Sequence, residues 1–141
     1  MLAFEVLPAL SRQVQTASLK RGVQEHLEQT KRHVARVEQA FRTLRLDPSS
    51  NLSGALEGMK RQHDEVTEKL ANDRLADLFH ASSAARTEHF EIASYTSLIA
   101  LAEAMGADEV ADLLEQNKRE EERTLKELEK IARRLAKEVA K

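Results

Sequence analysis

The chain has 141 residues, a formal net charge of −2, 33% charged residues, four glycines, two prolines and no cysteine. That length suits a single domain, residues 1–141, with enough chain for a real core. The near-neutral balance provides no basic field for nucleic acid, and the lack of cysteine excludes disulfides, thiolate metal sites and cysteine nucleophiles and fits a reducing cytoplasm.

No segment approaches the roughly 20 apolar residues of a membrane span. The apolar start, Met1 to Leu10, is interrupted by Glu5 and Pro8 and lacks a basic leader, so it does not read as a signal peptide. Five helical segments follow from the 3.6-residue periodicity. The first runs from about Leu2 to Val14, with Ala3, Leu7, Leu10 and Val14 on one stripe and Pro8 inside it as a kink or a start. A break near Ala17-Ser18 precedes a long helix from Leu19 to Leu46, whose seam includes Val23, Leu27, Thr30, Val37 and Phe41. Asp47 to Asn51 is a loop. A third helix spans Ser53 to Leu70, with Leu56, Met59 and His63 in register, and Asn72-Asp73 caps a fourth from Arg74 to Ala104. Gly106 is placed for a left-handed cap, and Asp108-Glu109 opens a fifth helix toward Lys141. Two helical hairpins joined by a connection that contains a short helix predict an all-α, ferritin-like four-helix bundle.

Carboxylates on apolar faces carry the functional information. Ala84, Glu88, Glu91, Tyr95, Leu98 and Ala102 share one stripe of the fourth helix, and Leu114, Glu121, Leu125 and Leu128 share one stripe of the fifth. Glu88, Glu91 and Glu121 are therefore expected to point inward. Folding the hairpin at Gly106 brings Glu91 level with Glu121, and Glu88 stands less than a turn away, about 4.5 Å along the axis. Buried carboxylates at one level need a proton, a basic partner or a metal, and a hard cation satisfies several at once. A hydrated polar layer, or pairing with Lys or Arg, is the alternative.

On the second helix, His26 and His33 flank Thr30. Reflection about Ser18 sets His33 opposite Ala3 and His26 opposite Leu10, deeper toward the turn. His33 is thus the expected nitrogen ligand, the alternative being a flank histidine bonded to solvent or to a carboxylate; His26 reads as structural. No Glu-x-x-His occurs. Asp77-x-x-His80 is nearest to that pattern, but it lies more than two turns from Glu91, and it, His63 and His89 read as structural or solvated.

Several stretches resemble the YciE/YciF-type family of bacterial, stress-associated proteins. They are His26-Leu27-Glu28-Gln29-Thr30, Val37-Glu38-Gln39 with Phe41, Ala55-Leu56-Glu57-Gly58, Leu113-Leu114-Glu115 and Glu120-Glu121. The most specific is Glu88-His89-Phe90-Glu91-Ile92-Ala93-Ser94-Tyr95. The resemblance implies a ferritin-like bundle, commonly a dimer, with a two-metal site between helix pairs, and it supports Glu88, Glu91 and Glu121 as ligands.

Two departures from the family pattern stand out. The family's first-helix glutamate, eight residues before its proline, would precede Met1, and the acidic residue that often follows Glu28 is Gln29 here. Either the chain begins late or the site lacks one half. The expectation is a bundle with an incomplete carboxylate site for iron or manganese, with Tyr95 beside the ligands and weak or no occupancy. The competing expectation is a structural or interaction bundle that has lost its metal. An apolar helix face is expected to form a homodimer. The basic end, Lys130 to Lys141, is diluted by Glu129 and Glu138 and reads as a solvated helix end, with no nucleic acid or membrane partner.

Overall fold

The computed structural model describes residues 2–48, 53–70 and 72–141, with side chains from Val6 onward. The side chains of Ala3 and Glu5, and the loop residues Ser49 to Asn51, lie outside that description. The described residues form α1 (Leu2–Gln13), α2 (Ala17–Thr43), α3 (Gly54–Thr67), α4 (Asp73–Ala104) and α5 (Asp108–Val139), with no strand among them. α1 packs on α2, α4 on α5 and α2 on α5, while α3 rests on α4 within the crossover. The architecture is an all-α bundle of two hairpins.

Local chemistry sets most of the helix ends. Asn72 caps α4, its Oδ1 accepting from the amides of Arg74 and Leu75 at 3.0 Å each. Gly106 has φ 68°, and the Ala107 amide reaches back to the Ala102 carbonyl at 2.9 Å, a left-handed C-terminal cap. α2 closes in the same way through Arg45, φ 56°, a conformation less favourable for a residue with a Cβ. α1 runs through Pro8, which forgoes one helical hydrogen bond there.

The first break falls at residues 14–16, ahead of the expected Ala17-Ser18. A long-range contact places it: Asp77 of α4, 2% exposed, accepts from the Gln15 amide at 3.0 Å and the Thr16 amide at 2.6 Å. The two backbone N–H groups just ahead of α2 are thus satisfied from another helix. The second and third helices also stop about three residues sooner than expected, at Thr43 and Thr67.

Two apolar clusters sit at opposite ends of the bundle. One joins Leu10, Val14, Leu19, Val23, Ala81 and Leu128; the other joins Ala40, Ala102, Val110, Ala111 and Leu114. Between them lies a polar layer. The expected inward stripe of α4 fails at one position, since Leu98 is 48% exposed. None of the described residues of α1 joins the second cluster. Leu98, Leu101 and Met105 are exposed beside a groove that Phe41 and Leu44 also line.

Candidate metal centre

α2 and α5 run antiparallel, and paired polar side chains fix their register. Arg134 donates to Ser18, Thr124 to Gln29 at 2.9 Å, and Arg36 to Asn117 at 2.9 Å. This register delivers α2's histidines to the carboxylates of the second hairpin. Glu88, Glu91, Glu121 and His26 each offer one ligand atom, all within 4.8 Å of one another. Glu88 and Glu121 are each 2% exposed. His26 Nε2 lies 3.3 Å from Glu88 Oε1, and its Nδ1 lies 3.8 Å from Glu121 Oε2.

His33, the histidine expected among the ligands, stands outside this group of four. It is 4% exposed, with Nδ1 2.9 Å from Glu121 Oε1 and Nε2 3.0 Å from Glu120 Oε2. Whichever tautomer the ring adopts, a carboxylate receives its proton. The placing of His26 was not legible from the α1–α2 hairpin, because α2's register on α5 decides it.

A hydrogen-bonded chain extends from the cluster. Arg36 donates to both Glu120 Oε1 and Asn117 Oδ1, at 2.9 Å each. Asn117, fully buried, donates to the Tyr95 hydroxyl and to the His33 carbonyl, at 3.2 Å each. Tyr95 thus meets the site through Asn117, and burial raises its pKa. Sequence reasoning missed both Arg36 and Asn117. Asn117 was findable: it lies between Leu114 and Glu121 at helical spacing, on the same inward face.

Burial and mutual repulsion dominate the electrostatics. Burial first, then the neighbouring Glu121 and Glu91, push Glu88 up to about 11. Burial and Glu121 push Glu91 up to about 8. Burial also acts to raise Glu121, but hydrogen bonds from His33 and Glu88 and the charges of His26 and His33 outweigh it and hold Glu121 below the usual range. Burial lowers His26. The layer as it stands therefore keeps protons on Glu88 and Glu91 at neutral pH and its negative charge on Glu121. Beyond the proton shared between Glu88 and Glu121, their buried oxygens Glu88 Oε2 and Glu121 Oε2 have no hydrogen-bond partner. Unmet buried acceptors are costly, and a cation among them would meet both.

His63 and His80 join two helices. His63 Nε2 meets His80 Nδ1 at 2.9 Å, and the His63 ring stacks on Phe79 at 5.8 Å, which ties α3 to α4. His89 is exposed.

The whole sequence, residues 1–141, matches the family described as Domain of unknown function (DUF892). Protein YciF of Escherichia coli (strain K12) is 32% identical over 124 residues, covering 84% of this chain and 72% of that protein. The crystal structure of the E. coli stress protein YciF superposes with a TM-score of 0.91 at 28% identity, covering 96% of this chain and 86% of that one. YcfI of Rhodopseudomonas palustris, described as "a putative structural protein", gives a TM-score of 0.88 at 31% identity over 91% and 82% of the two chains.

Proposed function

The chain belongs to the DUF892 family, of YciF type, and from that premise we propose that it is a ferritin-like bundle that binds one divalent cation, iron or manganese, between its two hairpins. Glu88, Glu91, Glu121 and His26 would hold the ion. His33 would orient Glu121, with Glu120 and Arg36 fixing the His33 ring in turn. The observation that carries this reading is the pair of partnerless oxygens on Glu88 and Glu121, inside a group whose one nitrogen and three carboxylates suit such an ion. Once the ion displaces the protons of Glu88 and Glu91, the three carboxylates supply the negative charge that offsets the dehydration of a divalent ion. No further acidic group among the described residues joins these four, so the site is read as one half of a two-metal centre. A bound iron or manganese would supply Lewis acidity or redox chemistry. The likeness to a stress protein of E. coli supports a role under stress.

Anomalous scattering from crystals grown with Mn(II) or Fe(II) tests the reading. One peak among the four side chains is expected, and an empty position with every carboxylate oxygen hydrogen-bonded to water would overturn it.

A second reading has its own observation. Leu98, Leu101 and Met105 are 48%, 56% and 64% exposed along one end of α4. A contiguous open apolar patch marks an association surface. We propose that this face pairs with a second copy, giving a homodimer. Sedimentation of a Leu101→Lys variant as a monomer, beside a dimeric parent, is the expected result.

A further inference from the structure

α3 has no fully buried residue, yet it does not lie on a closed surface. Leu56 and Met59 line a cavity of about 260 Å³ between this helix and the bundle. Leu7 and Leu10 of α1, Val23 of α2, and Leu128 and Ile131 of α5 supply most of its apolar wall. Its polar wall includes His26, Glu88 and Glu91, the group proposed above to hold a cation. The cavity therefore joins an apolar chamber to a reactive pole. Bundles need no such space for stability, since interiors pack with few voids larger than a water molecule.

We propose that this chamber binds a neutral, straight-chain aliphatic molecule with a single hydroxyl-type head, its chain under α3 and its head at Glu88. Three observations set that chemistry. The wall is apolar over most of its extent, and such a cavity excludes water and takes up hydrocarbon. Glu88 Oε2 is buried and meets no group beyond Glu121, and a ligand hydroxyl, which both donates and accepts, supplies a partner in either protonation state. A charged head would be desolvated beside Glu88 and Glu91 with no buried Lys or Arg among the described residues to pair it, so an alcohol or hydroperoxide is preferred to a fatty acid. The volume sets the length. A dry cavity of about 150 Å³ holds benzene, so this one suits about eight to ten carbons. The inference rests on the metal reading only in taking the Glu88–Glu91 pole as the working end of the site.

The test is a calorimetric titration of the metal-stripped full chain with 1-alkanols from butanol to decanol. Affinity is expected to rise roughly fourfold per methylene, levelling off at about eight to ten carbons. Octanoate is expected to bind at least tenfold more weakly than octanol. Ala84→Phe fills the chamber from α4, and Met59→Glu puts a charge into it from α3, where no core residue is disturbed. Each should weaken octanol binding at least tenfold, whereas Leu101→Ala, outside the chamber, should not. If Ala84→Phe fails to fold, Met59→Glu decides. A flat chain-length series, octanoate binding as tightly as octanol, or undiminished binding by Met59→Glu would each overturn the inference. Because metal is removed beforehand, metal uptake without alkanol binding defeats this inference alone, and alkanol binding without metal uptake defeats the metal reading alone.

Discussion

The two ends of the bundle are built from the same kinds of residue and are closed differently. At the α1 end, Leu10 and Val14 come down onto Leu19, Val23, Ala81 and Leu128, and four helices share one cluster. At the other end, Ala40, Ala102, Val110, Ala111 and Leu114 are drawn from three helices, and the apolar side chains of α4 beyond them remain open. The difference teaches that a stripe of apolar residues becomes a core only where a neighbour covers it. The carboxylate layer lies between, roofed on one side by the closed end and bordered on the other by the open one.

The largest effect separating the ends should come from truncating their leucines. Leu19→Ala, fully buried in the closed cluster, should cost about 3 kcal/mol in denaturant unfolding. Leu101→Ala, 56% exposed at the open end, should stay within about 0.5 kcal/mol and act on self-association instead. Equal losses would remove the distinction.

The closed end also depends on Asp77, which fixes where α1 stops and α2 begins. Asp77→Ala leaves the amides of Gln15 and Thr16 without their acceptor and should cost about 2 kcal/mol, while Asp77→Asn, retaining one oxygen, should cost about half as much. Loss of helix signal confined to the first hairpin would sharpen the comparison. An unaffected melting curve would break it.

The layer between the ends should respond to pH in the opposite sense to an ordinary salt bridge. Glu88 and Glu91 hold protons in the folded state that they release when unfolded above their usual range. The folded state therefore binds more protons, and stability falls as pH rises. Below the ordinary histidine range, His26 and His80, both lowered by burial, oppose this trend, because unfolding lets them take up protons. The clean window is thus about pH 6.5 to 8. There, chelator-treated protein should lose on the order of 1 kcal/mol per pH unit. Glu91→Gln should remove up to about half of that slope, since Glu88 still holds its proton, and should be as stable as the parent, or more so, at pH 8. A slope of the opposite sign would mean that the carboxylates are ionised and paired.

How much of this was legible in the sequence follows from what fixes each feature. Helix period and the Gly106 turn were enough to place Glu88, Glu91 and Glu121 on inward faces at one level, because both act within a single hairpin. The choice between His26 and His33 was not legible. Both flank Thr30 and both meet carboxylates, and only contacts between helices, such as Thr124 with Gln29, set which one stands with Glu88 and Glu91 and which with Glu120. Leu98 misled for a related reason: it lies on the inward stripe, but whether another element covers it is decided by packing between helices, and it is exposed. Asp77 could be seen on an inner face, though its targets, two backbone amides, carry no sequence signal.

The central claim is a one-ion site built on α2, α4 and α5. Its most direct measurement is a calorimetric titration of stripped protein with Mn(II) or Fe(II) under anaerobic conditions, beside His26→Ala and His33→Ala. The account predicts saturation at one ion per chain. It predicts a large loss for His26→Ala, at least tenfold, and a smaller one for His33→Ala, since His33 only orients Glu121. Two ions per chain, or a His26→Ala variant that binds as well as the parent, would contradict it.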